Sequence, residues 1–199
     1  MTKQEIHASR DARRARTDAR LVETVNDVLV QRGYAGLTIE RVASESGVAK
    51  TTIYRRWTTK AEMVFDLVIH RAEEQPTIDT GSVAGDIEAL AERAVRLVAG
   101  DPGRAVLPGL LADMSGDSSL TERLRQGFVA AARDDIAAVF DRAHERGNLR
   151  TSVSVTDFHA ALLGIPYAQA HLFAQNDTDA LTRSLTMQLL SLVGAQSAD

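Results

Sequence analysis

Apolar residues recur every three or four positions along almost the whole chain, and no stretch alternates apolar and polar residues for long enough to suggest a strand. This spacing places the apolar side chains on one face of an α-helix, so it predicts an all-α fold. In the first part of the chain, the predicted helices cover about residues 10–32, 39–46, 49–57 and 60–74.

Turn and cap residues fall between these predicted helices. Gly33 and Gly47 follow the first two helices, where a left-handed backbone commonly ends a helix. Thr38 precedes the second helix as a typical N-cap residue. Thr59 and Glu62 have the spacing of a capping box, in which hydroxyl and carboxylate groups bind exposed N–H groups reciprocally. The fourth helix is therefore expected to begin at this pair.

The rest of the chain follows a predicted loop over residues 75–85, which contains one proline and two glycines. Five more helices are expected, giving about nine in all. Their predicted positions are 86–99, a short helix before Gly116, 119–147, 155–175 and 178–193. Glycine and proline over residues 100–103 predict a break after the first of these, and Ser119 with Glu122 predicts a second capping box. Pro166 is expected to kink its helix.

The composition is that of an ordinary globular protein: 199 residues, of which 44% are hydrophobic and 25% are charged. Cysteine is absent, which excludes disulfides, thiolate metal sites and thiol nucleophiles, and a reducing cytoplasmic location fits best. The chain begins with a polar segment of mixed charge and has no apolar run near the length of a membrane span. We therefore expect no membrane association.

Charge divides the chain unevenly. Residues 1–60 contain 12 Lys and Arg against 7 Asp and Glu, and the remaining residues contain 11 against 20. The overall net charge of −4 is thus the sum over a basic N-terminal part and a larger acidic part. All three lysines, Lys3, Lys50 and Lys60, lie in the basic part, which is typical of a module that neutralises DNA phosphates. A solvated basic helix face would have the same charge pattern.

Residues 39–57 have the arrangement of a helix-turn-helix. Ala43 is small where two helices must cross closely, Gly47 permits the turn, and Val48 and Ile53 provide apolar contacts between the helices. The outer face of the second helix carries hydroxyl groups, cations and an aromatic ring suited to phosphates and base edges: Lys50, Thr51, Thr52, Tyr54, Arg55 and Arg56. Lys60 adds a cation at the start of the following helix. A plain helical hairpin would not require all of these features together.

The run from Gly36 to Met63, GLTIERVASESGVAKTTIYRRWTTKAEM, resembles the DNA-binding signature of the tetracycline-repressor-like (TetR/AcrR) transcriptional regulators. The resemblance covers the N-terminal third, while the C-terminal part is similar only in helix number and order. It implies that residues 1–60 form a three-helix DNA-binding domain with a disordered tail over 1–9. A helix over 61–74 would connect it to a C-terminal helical bundle, 75–199, for ligand binding and dimerisation.

The same resemblance implies a homodimer that places two recognition helices in successive major grooves of a pseudo-palindromic double-stranded DNA operator. It implies DNA contacts at Thr38, Lys50, Thr51, Thr52, Tyr54, Arg55, Arg56 and Lys60. Glu40 either accepts a hydrogen bond from a cytosine amino group or, as we favour, is solvated and directed away from DNA. Trp57 stands where the family commonly has phenylalanine, and we expect it in the core.

Apolar side chains that would suit a ligand cavity are spread over the chain, although each also fits plain core packing. The main set is Phe65, Leu110, Leu111, Met114, Phe128, Phe140, Phe158 and Tyr167, with His171 as a polar candidate. Further polar candidates are His70, His159 and Gln169. A dimer interface is expected from small residues spaced by four, Ala160, Gly164 and Ala168, and from the leucine ridge of the last helix, Leu181, Leu185, Leu189 and Leu192.

Enzyme chemistry finds no support, because the sequence has no phosphate-binding glycine loop, nucleophile elbow or metal-binding histidine spacing. We therefore expect no metal, no cofactor and no catalytic residue. The hypothesis is a ligand-responsive DNA-binding regulator, most simply a repressor released by an unidentified small molecule. The alternatives are a DNA-binding regulator without such a ligand and a helical-bundle enzyme.

Overall fold

In the computed structural model, residues 3–70, 77–146 and 153–194 are described, and every regular element within these ranges is helical. The all-α prediction is confirmed. The chain divides into two compact units, Met1–Arg71 with Ala105–Gly116, and Ala72–Arg104 with Asp117–Asp199. No helix in the described part of the chain combines the length and the apolarity that a membrane span requires.

The first unit begins with four helices: α1, Lys3–Gly36; α2, Ile39–Ser46; α3, Lys50–Tyr54; and α4, Lys60–Val64, which continues as the π-helical turn Phe65–His70. The bounds of α2 match the prediction. The helix α3 is shorter than expected, because Arg55 and Arg56 form a turn that leads into Trp57. The last residues of the predicted fourth helix, 71–74, lie outside the described residues.

The first helix begins at Lys3, earlier than the predicted start at residue 10, so it includes residues 3–9 of the predicted tail. Residues 3–9 include lysine, glutamine, glutamate and alanine, which have high helix propensity, and a helix nucleated downstream extends easily into them. The predicted stop at Gly33 is confirmed as a break inside α1, where φ is 65° and ψ is −179°. Glycine tolerates this backbone conformation without steric cost.

The second unit contains α5, Val83–Ala99; the start of α6, Asp101–Ser115; α7, Ser118–Leu124; α8, Ala130–Glu145; α9, Val155–Tyr167; and α10, Thr178–Val193. The π-helical turn Arg125–Val129 joins α7 to α8, and another, Ala168–Leu172, extends α9. With α7 and α8 taken as one continuous helix, the described residues form nine helices.

Two local expectations for the second unit are wrong. The break predicted over residues 100–103 is confined to Gly100, because Pro102 fits the first turn of a helix and α6 begins at once. Ser119 is not an N-cap, because Asp117 already accepts hydrogen bonds from the backbone N–H groups of Ser119 and Leu120. Glu122 instead forms an ion pair with Arg125.

The division between the units differs from the predicted boundary at residues 60 and 75. The first unit extends to Arg71 and also takes up Ala105–Gly116 of α6. This segment has an apolar face whose members Val106 and Leu110 are buried, so it packs as part of the first unit. The boundary itself, together with the first residues of the predicted loop over 75–85, falls on residues 71–76, which lie outside the described residues.

The core of the second unit is built around α5, which packs against α8, α9 and α10. Phe158 is fully buried there, and its ring meets that of Phe140 edge to face, with the ring centroids 5.0 Å apart. After Pro166 the helix α9 passes into its π-helical extension, so the disturbance expected at this proline is a change of helix type.

Candidate nucleic-acid interface and ligand cavity

The α2–α3 pair is held by caps and by its turn. The Thr38 hydroxyl accepts a hydrogen bond from the Arg41 N–H at 3.1 Å, as expected of an N-cap. Gly47 has φ 64° and ψ 16°, the left-handed conformation predicted for the turn. The Arg20 guanidinium of α1 donates to the Ser46 carbonyl at the end of α2. These contacts fix the direction in which α3 leaves the turn.

The helix α3 has one buried side and one exposed side. Ile53 is fully buried and anchors the helix in the core of the first unit. Lys50, Thr51 and Arg55 are exposed, whereas Thr52 is half-buried. The predicted helix-turn-helix thus presents cationic and hydroxyl groups to solvent from a rigidly seated helix, which is the arrangement that reading a DNA groove requires.

Tyr54 extends this exposed surface and pairs with the preceding helix. Its hydroxyl donates to Glu40 Oε1 at 2.8 Å. The pKa of the Glu40 carboxyl is lowered, first by a hydrogen bond from its own backbone N–H and then by the Tyr54 hydroxyl, while the pKa of Tyr54 is raised by this hydrogen bond. Glu40 is exposed, and its carboxylate accepts a hydrogen bond from the tyrosine that the sequence assigns to a phosphate.

Arg56 and Trp57 face the protein. The Arg56 guanidinium forms an ion pair with Asp18 of α1 and lies 4.2 Å from the centroid of the Trp57 ring. Trp57 is 4% exposed, which confirms its predicted place in the core, and its Nε1 donates to Asp66 Oδ2 at 2.9 Å. Arg56 is thus engaged within the first unit rather than extended toward solvent as Arg55 is.

Lys60 is also engaged within the first unit. Its ammonium nitrogen lies 4.2 Å from the centroid of the Tyr34 ring, 3.4 Å from the Tyr34 carbonyl oxygen and 3.9 Å from Asp113 Oδ2. The local sequence pattern does not single out Asp18, Tyr34 or Asp113 as neighbours of the cationic surface. Each is far along the chain from its partner, so periodicity and local spacing carry no signal for these pairs.

A small cavity lies in the second unit and is lined by residues of α5, α8 and α9. Its volume is about 30 Å³, room for about one water molecule. Its polar lining consists of His159 and of Arg93 with Asp135, whose charged groups lie 3.1 Å apart. The apolar lining residues are Leu90, Ala94, Leu97, Ala132, Ile136, Leu162 and Leu163. Burial, followed by the charge of Arg133, lowers the pKa of His159.

His159, one of the further polar candidates, lines this cavity, whereas the nine residues of the main predicted set do not. Four lie in the first unit, Phe65, Leu110, Leu111 and Met114. Five lie in the second, Phe128, Phe140, Phe158, Tyr167 and His171. In that second group, Phe158 is a core residue, and the Tyr167 ring stacks on His171, whose Nε2 lies 3.0 Å from the Val98 carbonyl oxygen. Phe128 and Phe158 are buried within the second unit.

The leucine ridge predicted as a dimer contact mostly faces inward. Leu181, Leu185 and Leu189 are buried in the core of their own unit, where α10 packs on α5. Most of this apolar stripe therefore packs in the intramolecular core. The outer side of α9 and α10 instead forms an open groove, which is lined by Ala161, Ile165, Ser184, Met187, Gln188, Leu189, Ser191 and Leu192. Ala160 and Gly164 are exposed and Ala168 is half-buried.

Within the residues that the structure describes, no three His, Cys, Asp or Glu side chains are grouped so that they could share a metal ion.

Comparison with known protein families gives two matches. Residues 21–67 match the bacterial regulatory proteins of the tetR family, and residues 77–189 match the tetracyclin repressor-like C-terminal domain. The first match spans the helix-turn-helix described above. The second covers more than half of the chain.

Individual proteins agree with these matches. A DNA-binding transcriptional repressor TetR of Mycobacteroides abscessus is 30% identical over 71% of this chain and 75% of its own. The crystal structure of a TetR transcription regulator from Haloarcula marismortui superposes with a TM-score of 0.67 at 16% identity, covering 92% of this chain and all of the other. RolR in complex with resorcinol superposes with a TM-score of 0.61 at 16% identity, covering 94% and 92%.

Proposed function

The chain belongs to the tetR family of bacterial transcriptional regulators, and we propose that it is a homodimeric repressor that leaves its DNA operator when a small molecule binds the second unit. Its site of action is then the cytoplasm, where the operator lies. The observation that carries the DNA part of the proposal is the exposed surface of α3, with Ile53 buried beneath it.

The surface proposed to contact DNA consists of the exposed or half-buried members of the predicted set. Lys50, Thr51 and Thr52 begin α3 and are assigned to base edges and phosphates, and Thr38 and Tyr54 flank them for phosphate contact. Arg55 adds an exposed cation. Arg56 is assigned a positioning role, because its guanidinium is paired with Asp18. Lys60 remains a phosphate contact in this proposal.

The test of DNA binding is a fluorescence-anisotropy titration of the purified protein against the DNA flanking its own coding region, at two salt concentrations. Tight, salt-dependent binding that resists competitor DNA is the expected result. Lys50→Ala should weaken binding, whereas Arg96→Ala, which removes the same charge from an exposed position on α5, should not. Binding no tighter than to random duplex in every flanking segment would contradict the proposal.

The small-molecule part of the proposal is assigned to the cavity between α5, α8 and α9. Apolar walls with a few polar groups, here His159 and the Arg93–Asp135 pair, are typical of ligand sites. The present volume of about 30 Å³ requires these helices to separate before any ligand enters. Because RolR binds resorcinol in the same fold, resorcinol is the first probe.

Binding of resorcinol is measured as a rise in the melting temperature and as release of the labelled operator. Ala132→Leu places a larger side chain at the cavity and should abolish both effects, whereas Ala131→Leu at the adjacent exposed position should not. A second candidate function, a DNA-binding regulator without a small-molecule ligand, is favoured by the water-sized cavity. It predicts no melting shift and no release with any member of a panel of small aromatic compounds.

The homodimer is assigned to the outer groove of α9 and α10. Met187 is 61% and Leu192 39% exposed, so a single chain leaves apolar surface in contact with water there. Gly164 has nothing within 4 Å of the position where a Cβ would lie, so a partner helix has room to approach. A twofold contact would place the same groove of each chain against the other.

A further inference from the structure

We infer that Asp113 of α6 is an internal competitor for Lys60, holding the ammonium group that a DNA phosphate would otherwise take and so lowering the affinity for DNA. This inference rests on the proposed DNA-binding function. It adds a carboxylate that belongs to none of the helix-turn-helix elements and that the sequence motif does not contain.

One carboxylate oxygen of Asp113 lies close to two polar groups of the first unit. The Tyr34 hydroxyl donates to Asp113 Oδ2 at 2.7 Å, and the Lys60 ammonium nitrogen lies 3.9 Å from the same oxygen. The Lys60 ammonium also lies 4.2 Å from the centroid of the Tyr34 ring and 3.4 Å from the Tyr34 carbonyl oxygen. The cation is therefore bounded by a carboxylate, a carbonyl and an aromatic face.

The packing of α6 on Tyr34 places Asp113 at this position. A Cβ at Gly109 would lie 2.3 Å from Cδ1 of the Tyr34 ring, so the ring rests directly on the α6 backbone. Val106 and Leu110 of the same helix are buried in the first unit. Asp113 follows Gly109 by four residues, which puts it one helical turn along the face that touches Tyr34.

The Lys60–Asp113 contact is suited to competition from a DNA phosphate because both side chains are accessible to water. The side chains of Lys60 and Asp113 are 30% and 43% exposed, and pairs with this exposure contribute little net stability. A phosphate can therefore replace the carboxylate without a large cost. The Tyr34 hydroxyl keeps the carboxylate beside Lys60 through its hydrogen bond to Asp113 Oδ2.

Asp113→Asn in the full chain tests the inference, because asparagine keeps the shape and loses the charge. We expect DNA binding to tighten by about 2- to 5-fold, the fold-change that a pair worth up to about 1 kcal/mol allows. Asp134→Asn is the matched control, since it removes the same charge from an exposed position on α8. In the Lys60→Gln background, Asp113→Asn should no longer tighten binding.

If Asp113→Asn and Asp134→Asn raise the affinity for DNA equally, or if the gain from Asp113→Asn persists in the Lys60→Gln background, general electrostatics accounts for the effect. Either result would overturn the inference. Absence of tight DNA binding by the unmodified protein would instead overturn the proposed function.

Lysine acylation followed by mass spectrometry tests the Lys60–Asp113 contact in the absence of DNA. The chain has only three lysines, so Lys50, which is exposed on α3, serves as an internal reference for Lys60. The ratio of the Lys60 to the Lys50 acylation rate should rise in Asp113→Asn and also in Tyr34→Phe, which frees the carboxylate but keeps the ring. An unchanged ratio in both variants would overturn the inference whatever the DNA result.

Discussion

Arg55 and Arg56 are neighbours in the sequence with different surroundings in the structure. Arg55 is exposed at the end of α3, whereas Arg56 is paired with Asp18 and stacked on Trp57. A pair of consecutive arginines in a DNA-binding motif suggests two equivalent phosphate contacts. The structure separates them into a surface cation and a residue that ties α1 to the end of the recognition helix.

This difference predicts that substitution at Asp18 affects stability, whereas substitution at Arg55 affects DNA binding. Asp18→Ala should lower the free energy of unfolding by about 1–3 kcal/mol, because it leaves the half-buried Arg56 guanidinium without its carboxylate. Arg55→Ala should change stability by less than about 0.5 kcal/mol but reduce the salt dependence of DNA binding by about one phosphate. Urea denaturation and salt-dependent anisotropy measure the two effects. Equal destabilisation by both substitutions would contradict the assignment.

His159 makes stability depend on pH. Burial, then Arg133, lowers the pKa of its imidazole in the folded chain below the ordinary value of 6.5. The unfolded chain therefore takes up this proton first as the pH falls, so the free energy of unfolding should decrease below about pH 7. His159→Gln should lessen that decrease, and His144→Gln, at an exposed position, should not. Denaturation curves between about pH 7.5 and 5.5 measure this difference.

Among the elements, the turn between α2 and α3 depends most directly on residue type. Gly47 adopts φ 64°, and a Cβ there would also lie 3.1 Å from an Arg20 guanidinium nitrogen. Arg20 also donates a hydrogen bond to the carbonyl of Ser46, the residue directly before Gly47. Backbone conformation and the α1 contact therefore restrict the same position.

Gly47→Ala should destabilise the protein by about 1–2 kcal/mol, since an L-residue is strained in the left-handed region. Gly127→Ala is the control: it lies in a helical segment with nothing within 4 Å of the Cβ position, and alanine should there be neutral or stabilising by up to about 1 kcal/mol. Thermal unfolding of both variants provides the measurement. Equal loss of stability in both would show that the turn conformation is not the cause.

At the scale of the whole molecule, the proposed homodimer depends on the open groove of α9 and α10. Met187→Glu combined with Leu192→Glu should convert a dimer to a monomer, because two charges would be buried at a twofold contact. Val30→Glu alters another exposed apolar residue, on α1, and should leave the dimer intact. Analytical ultracentrifugation reads the association state. A dimer that survives the double substitution would place the interface elsewhere.

The amino-acid sequence by itself determined the elements and the family. Local interactions, within a few residues, determine the helical periodicity, the Thr38 and Thr59 caps, and the glycine conformations at 33 and 47. These features can therefore be recognised in the sequence. The inward positions of Ile53 and Trp57 follow from the same local pattern.

Tertiary structure alone decided which apolar and charged side chains meet. Apolar stripes on α10 and α6 are equally consistent with a core, a cavity or a dimer face, and only packing assigns Leu185 to the core and Leu110 to the first unit. The pairs Arg56–Asp18 and Lys60–Asp113 join residues distant in the chain. Their contacts depend on how helices cross, which the composition and spacing of either segment do not specify.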